Sequence, residues 1–299
     1  MQQELDNVKI NFDVDGLFFL NLTLAIIMFG VALDIKLSDF LRIFKNPKSV
    51  IVGAISQFIL LPALTFLMVL IIKPIPSIAL GMFMVAACPG GNISNFMTNY
   101  AKGNAALSVS LTAIATLFAI VMTPLNFQFW SGLYSPTSTI MNSISISPLE
   151  MVKVISLLLG VPLVLGMLVR HYFPNFAKMT SPYFKVGSIL FFLLLIILAL
   201  SKNTEIFTKY IHYVFLLVVA HNVLALLLGY NMGRITRLSI RNRRTLAIET
   251  GIQNSGLALL LIFTFFDGLG GMALLAAFWG IWHIVSGLIL ATYWSKKEI

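Results

Sequence analysis

Long apolar runs separated by short polar stretches make up most of the chain. A helix needs about 20 mostly apolar residues to cross the hydrocarbon core of a bilayer. Nine runs of this kind, called spans 1 to 9 in chain order, are residues 17–37, 49–72, 77–100, 104–127, 150–172, 184–201, 210–231, 243–266 and 272–295. The pattern therefore predicts an all-α polytopic membrane protein with nine transmembrane helices.

The composition agrees with this pattern. Of the 299 residues, 59% are hydrophobic and 10% are charged, whereas a soluble domain has about 45–50% apolar and about 25% charged residues. Such a chain cannot form a water-exposed surface, which excludes disordered, fibrous and nucleic-acid-binding proteins. The one cysteine, Cys88, excludes an internal disulfide, and the lack of CxxC and HExxH motifs leaves a zinc site without support.

The distribution of charge predicts the orientation, because Lys and Arg accumulate in cytoplasmic loops. When the C-terminus and the loops after spans 1, 3, 5 and 7 share one face, that face holds fifteen of the 20 Lys and Arg residues. We therefore predict a multi-pass protein of the plasma (inner) membrane, with an extracytoplasmic segment at 1–16 and a cytoplasmic tail at 296–299. Segment 1–16 lacks the charge pattern of a signal peptide. The uncharged stretch 128–149 is predicted to be an extended or interfacial outer loop.

Spans 3 and 8 are poor helices. Pro89, Gly90 and Gly91 lie near the middle of span 3, and a polar block at 249–256 interrupts span 8. Matching interruptions in the two halves of a transporter indicate a site near the membrane midplane, because unwound backbone is tolerated only where it lines a cavity or binds ions. Alternatively, both are kinks in tightly packed helices.

One carboxylate lies well inside a predicted span. Glu249 is the only one of the 11 Asp and Glu residues in such a position, and no Lys or Arg lies at its depth. A proton or a bound cation must therefore compensate its charge. Neutral oxygen ligands suit a hard alkali or alkaline-earth ion. Five residues near the two interruptions offer them: Ser94, Asn95, Ser108, Thr112 and Gln253.

The same side chains also have purely structural interpretations. Ser108 and Thr112 can bond back to their own helix, which is the commoner fate of such residues in a span. Gln57 and His283 are lone polar residues on apolar helices, and such residues usually link neighbouring helices. The residue types alone leave both interpretations open.

The segments CPGGNISN (88–95) and TLAIETGIQNSGLA (245–258) resemble the two signature stretches of the bile acid:sodium symporter family. Two further segments, RIFKNPKSVIVGAISQFILLPALTF and KGNAALSVSLTAIATLFAIVMTPL, resemble two other helices of that family. The resemblance covers most of 17–294. It implies inverted repeats at 17–127 (spans 1–4) and 150–295 (spans 5–9), and a panel domain against a core domain in which spans 3 and 8 cross. Bacterial members usually have ten helices, so the family's first helix is expected to be absent here.

The resemblance also assigns roles to residues, position by position. It implies two Na⁺ ions as the only metal. The first sodium site would consist of Ser94, Asn95, Ser108, Thr112 and Glu249. The second would consist of Gln57, Glu249, the carbonyls of Thr250 and Ile252, and Gln253. Organic anions would be contacted by Asn92, Asn254 and His283.

The resulting prediction is a sodium-coupled symporter of organic monoanions, with bile-acid-like steroids as substrates and alternating access as the mechanism. Its expected partners are a small organic anion and membrane lipid, with no nucleic acid and no obligate protein partner. The main alternative is a sodium- or proton-coupled transporter of a small carboxylate such as pantoate or a 2-keto acid. A non-transporting sensor and an intramembrane enzyme using Glu249 or His283 are remote alternatives, and we predict that the chain is not an enzyme.

Overall fold

The computed structural model describes Asp6 and residues 14–40, 47–91, 93–144, 147–202 and 204–298. Within these ranges the chain forms helices and no strand, so the predicted all-α class is confirmed. The helices, numbered in chain order, are α1 (Val14–Ala32), α2 (Pro47–Ile72), α3 (Pro76–Ala87), α4 (Ile93–Tyr100), α5 (Ala105–Leu133), α6 (Ser135–Ile144), α7 (Pro148–Tyr172), α8 (Pro174–Lys202), α9 (Thr204–Ile235), α10 (Ile240–Gly251), α11 (Ser255–Phe265) and α12 (Gly270–Ser295).

Several helices have the length and composition of membrane spans. In the described part of the chain, five stretches are long and apolar enough to cross a bilayer: α2, α5, α7, α12 and the Val214–Ile235 part of α9. The helices α3 and α11 are apolar but shorter. Together these helices identify a multi-pass membrane protein.

The predicted outer loop at 128–149 is largely helical where the structure describes it. Helix α5 continues to Leu133, because Phe127 and Ser131 on its last turns are buried. Helix α6 then follows after Tyr134. The extended form of the expected connection is therefore wrong for this stretch, and an interfacial position stays a prediction.

Helix α3 lies at the centre of the helical packing. Every residue from Ser77 to Ala87 is buried, since α12, α5, α2 and α6 all pack against this helix. Elsewhere, α1 packs mainly against α7 and α8, and α9 lies along α10. A fully enclosed helix need not be amphipathic, which explains the uniformly apolar sequence of α3.

Both predicted interruptions are present, and they meet each other. Span 3 is divided into α3 and α4, and span 8 into α10 and α11. Gly91 N donates to the Ile252 carbonyl at 2.6 Å, and Asn254 N donates to the Pro89 carbonyl at 2.9 Å. A Cβ on Gly91 would lie 2.8 Å from the Gln253 carbonyl oxygen, so this close crossing of two backbones requires glycine. We call this place the crossing.

Candidate cation site at the crossing

The carboxylate of Glu249 lies at the end of α10 beside the crossing, with 6% of the residue exposed. Three hydroxyl groups from the neighbouring helices donate to it. Ser94 Oγ of α4 donates to Oε1 at 2.6 Å, and Thr112 Oγ1 of α5 donates to Oε2 at 3.0 Å. Ser108 Oγ, also of α5, makes a short hydrogen bond to Oε1. These partners are neutral, so they orient the carboxylate without cancelling its charge.

The orientation of Asn95 makes this group rich in oxygen. Asn95 Oδ1 lies 2.8 Å from Ser108 Oγ and 3.3 Å from Thr112 Oγ1. The carboxylate and amide oxygens bring no hydrogen, and each hydroxyl brings one. The five oxygen–oxygen contacts among these residues therefore share three hydrogens. A cation among the oxygens, or a proton on Glu249, would supply the missing positive charge.

The structure separates the two interpretations of the hydroxyl residues on α5. Ser108 and Thr112 point at Glu249, on another helix. Ser110 and Thr116 bond back to the carbonyls of Ala106 and Thr112 on their own helix. Back-bonding is therefore the fate of the neighbouring pair and not of Ser108 and Thr112.

A second polar group joins α2 to the crossing. Gln57 Nε2 donates to the Cys88 carbonyl at 2.8 Å and to Gln253 Oε1 at 2.9 Å. In return, Gln253 Nε2 lies 3.2 Å from Gln57 Oε1 and donates to the Thr250 carbonyl at 2.6 Å. The two amides thus connect the Cys88 carbonyl, at the end of α3, to the last turn of α10.

A cavity of about 20 Å³ lies beside Glu249 and Gln57. Gln57, Glu249 and Thr250 form its polar wall, and glycine and apolar side chains form the rest. About 10–15 Å³ is enough to hold one water molecule, so the cavity fits one particle of that size. The helices α3 and α10 both end here, and the partial negative charge of helix C-termini favours a cation.

The residues expected to contact an organic anion are described only in part. Asn92 lies outside the described residues. Asn254 caps α11 by accepting from Leu257 N at 3.0 Å, and its Nδ2 lies 3.9 Å from Met28 Sδ of α1. His283 of α12 is buried, and its Nδ1 has no hydrogen-bond partner among the described residues. No hydrogen bond between described side chains joins Asn254 to His283.

Other polar residues near the crossing were not among the predicted site residues. Asn222 Nδ2 of α9 donates to the Gly251 carbonyl at 2.8 Å, and Ser286 Oγ of α12 donates to Asn222 Oδ1 at 2.6 Å. Thr123 Oγ1 of α5 donates to the Ala87 carbonyl at 2.8 Å. Asn222 thus provides a donor to the last turn of α10, and Thr123 provides one to the last turn of α3. The sequence signal for such residues is the interruption itself, because a helix that ends inside a span leaves carbonyls that need donors from other helices.

Comparison with known proteins finds similarity to sodium-dependent transporters. The sequence profile described as Sodium Bile acid symporter family matches residues 21–210. The chain is 34% identical over 279 residues to a protein of Bacillus subtilis (strain 168) named as an uncharacterized sodium-dependent transporter, YocS. That match covers 93% of this chain and 84% of the relative.

Two eukaryotic relatives carry more specific names. A protein of Oryza sativa subsp. japonica, named as the probable sodium/metabolite cotransporter BASS2, chloroplastic, is 30% identical over 92% of this chain and 64% of its own length. The ileal sodium/bile acid cotransporter of Homo sapiens is 29% identical over 81% of this chain and 68% of its own length. All three names are those of transporters, which confirms the prediction that the chain is not an enzyme.

Proposed function

Because the chain belongs to the sodium bile acid symporter family, we propose that it carries an organic anion across the membrane together with sodium ions. The observation that carries the proposal is the buried carboxylate of Glu249 at the crossing, surrounded by neutral oxygens from α4 and α5. Such a group needs a positive charge, and hard oxygen ligands suit an alkali or alkaline-earth cation. The family to which the chain belongs favours sodium among these ions.

Two sodium ions are proposed. One binds among Ser94, Asn95, Ser108, Thr112 and Glu249, where the oxygen contacts outnumber the available hydrogens. The other is proposed to occupy the cavity that Gln57, Glu249 and Thr250 line. The carbonyl of Ile252 and the side chain of Gln253 are proposed to complete the site. Glu249 is shared, so both ions neutralise it and hold the interrupted spans together.

The proposed cycle moves net charge. Two sodium ions with one monoanion carry one positive charge inward, worth about 2.3 kcal/mol per 100 mV of membrane potential. Alternating access would come from movement of one helix group against another around a fixed site. Helix α1 packs mainly against α7 and α8, which supports a panel group of these three helices beside the core group. Nine spans in two inverted repeats, with the N-terminus outside, complete the proposal.

For the substrate we propose a bile-acid-like steroid anion between the two groups. Asn254 supports this position, because its amide faces Met28 of α1 while its backbone belongs to the crossing. Asn92 and His283 are proposed as further contacts. The relative named as an ileal sodium/bile acid cotransporter supports this substrate class.

A small carboxylate is the second candidate substrate. It is favoured by the rice relative, which is named as a sodium/metabolite cotransporter and is as similar to this chain as the ileal protein. Competition of labelled taurocholate uptake by unlabelled pantoate, pyruvate and taurocholate separates the two classes. Competition by pantoate or pyruvate at lower concentration than unlabelled taurocholate would favour the small acid, and uptake that follows external pH without sodium would indicate proton coupling.

The proposal is tested first by thermal unfolding of the purified protein in increasing sodium, with choline keeping the ionic strength constant. We expect a sodium-specific rise in the unfolding midpoint, because an ion that binds only the folded state stabilises it. Glu249→Gln should remove this rise. The control is Glu150→Gln, which changes an exposed acid at the start of α7. A midpoint that responds equally to sodium and choline would contradict the proposal.

A further inference from the structure

Helix α2 changes its hydrogen-bonding pattern beside the crossing. Leu61 N donates to the Ser56 carbonyl, five residues earlier, so Ser56–Leu60 is a π-helical turn. The next residue is Pro62, which has no N–H and whose ring would clash with the carbonyl four residues back. That carbonyl belongs to Phe58. The wider turn accommodates the proline ring but leaves the Phe58 carbonyl without the donor that residue 62 would supply.

Asn126 of α5 provides a donor in its place. Its Nδ2 donates to the Phe58 carbonyl oxygen at 2.9 Å. Trp130 Nε1 lies 3.3 Å from Asn126 Oδ1, which fixes the direction of the amide. Only 9% of Asn126 is exposed, and Phe58 lines the cavity beside Glu249. The amide therefore connects α5 to the turn that forms one wall of that cavity.

The π-helical turn lets the two ends of α2 keep contacts that a regular helix could not combine. Before the turn ends, Gln57 bonds to the Cys88 carbonyl at the crossing. After it, Thr65 Oγ1 lies 2.7 Å from His221 Nε2 of α9. Removing the extra residue per turn would rotate one end against the other by about 100°. Either Gln57 or Thr65 would then lose its partner.

The chain contains a second turn of the same kind at a different place. In α7, Val161 N donates to the Ser156 carbonyl, and Pro162 follows as Pro62 does in α2. Both turns begin with a serine whose Oγ donates to a valine carbonyl four residues back at 2.7 Å. Helix α7 packs against α1, α5 and α8, and none of its residues lines the cavity beside Glu249. The α7 turn is thus a matched control.

We propose that Asn126 is a positioning residue for the cation site at the crossing, acting through the π-helical turn of α2 to hold Gln57 in place. The inference rests on the proposed sodium coupling. It assigns Asn126 an effect on sodium affinity without any contact to the ion. Outer residues that orient metal ligands commonly change affinity by about 10- to 100-fold when removed.

Four variants of the protein test this role: Asn126→Leu, Pro62→Ala, the two combined, and Pro162→Ala. The readout is the sodium concentration that gives half of the rise in unfolding midpoint, in a choline background. Asn126→Leu removes the donor, and Pro62→Ala supplies an N–H that lets the turn become a regular helix. We expect each to raise this sodium concentration about tenfold, while Pro162→Ala leaves it unchanged.

The combined variant separates positioning from stability. Its Pro62→Ala change supplies the N–H that the Phe58 carbonyl lacks in Asn126→Leu, so the midpoint without sodium should recover towards that of Pro62→Ala alone. The sodium concentration should stay raised, because Gln57 is still displaced. A purely structural Asn126 would lower the midpoint and leave the sodium dependence unchanged, which would overturn the inference.

The remaining outcomes are also decisive. If Asn126→Leu does not fold, Pro62→Ala decides alone, and a sodium dependence like that of the wild-type protein overturns the inference. If wild-type protein responds to sodium and the α2 variants respond equally, the inference fails while the proposed function stands. If wild-type protein shows no sodium response, the proposed function fails and the inference fails with it.

Discussion

At the scale of single residues, the site depends on where a few hydrogens are placed. Glu249 receives hydrogen bonds from three hydroxyls and has no cationic neighbour among its described partners. Moving such a carboxylate out of water is costly unless its charge is compensated. Each hydroxyl has one hydrogen, which its bond to the carboxylate uses, and two lone pairs. An oxygen with a free lone pair can bind a cation, so one set of residues both orients Glu249 and offers ligands.

Thr112 and Thr116 provide a comparison within one helix. Both are buried on α5, but Thr112 donates to Glu249 whereas Thr116 donates to its own helix. We expect Thr112→Val to raise the sodium concentration for half-maximal stabilisation about tenfold, equal to about 1.4 kcal/mol. Thr116→Val makes the same change of side chain and should leave this sodium concentration unchanged. Sodium titration of the unfolding midpoint measures both, and equal effects would exclude Thr112 as a ligand.

At the scale of elements, the two interrupted spans end in the same way. The last turns of α3 and α10 leave carbonyls that no residue of the same helix can pair, and inside a membrane an unpaired carbonyl costs several kcal/mol. Side chains from outside each helix pair them: Gln57 and Thr123 for α3, and Asn222 and Gln253 for α10. The breaks are therefore stable only within the assembled bundle.

The contact of α9 with α10 gives a prediction at this scale. A Cβ on Gly229 would lie 2.7 Å from the Leu246 carbonyl carbon and 2.9 Å from Cα of Ala247, so backbone would have to move. We expect Gly229→Ala to lower the free energy of unfolding by about 1–3 kcal/mol. The control is Gly187→Ala in α8, where a Cβ would meet no atom of the described residues within 4 Å. A denaturation curve for each variant measures the difference, and equal stability would refute the close approach.

At the scale of the whole molecule, charge and packing act on different properties. Fifteen of the 20 basic residues fall on one predicted face, which favours one orientation in the membrane. The packing of α1 with α7 and α8, and of the other helices around the crossing, supports the two groups that the proposed transport cycle requires. Moving the excess of basic residues to the other face would change the orientation of the protein in the membrane without changing the packing of either helix group.

Orientation can be measured without removing the native cysteine. Cys88 is fully buried, so it should react little with a membrane-impermeant maleimide. Thr139→Cys in α6 and Lys297→Cys after α12 introduce exposed thiols at the two predicted faces. In intact cells we expect the reagent to label the variant at 139 and not the variant at 297. Labelling after lysis controls for reactivity, and the opposite pattern in intact cells would reverse the proposed topology.

Much of the fold and part of the site follow from local features of the sequence. Apolar runs of membrane length, two interrupted spans and one intramembrane acid do not depend on distant contacts, because bilayer thickness and the cost of burying charge act on each segment separately. The hydroxyls of Ser94, Ser108 and Thr112 donate to Glu249, and their role as cation ligands stays a prediction. The helices within the described part of 128–149 were not predicted, since the burial of Phe127 and Ser131 depends on neighbouring helices.

The roles of Asn126 and Asn222 were decided only by tertiary structure. Both look like ordinary polar residues in the sequence, yet each donates to a carbonyl on another helix. The proline in α2 predicts that a backbone carbonyl loses its donor, but not which side chain replaces it. That choice depends on which helices become neighbours, because a hydrogen bond requires two groups within about 3 Å. The sequence determined which segments are apolar enough to cross the membrane and where they break; only packing decided which side chains complete the breaks.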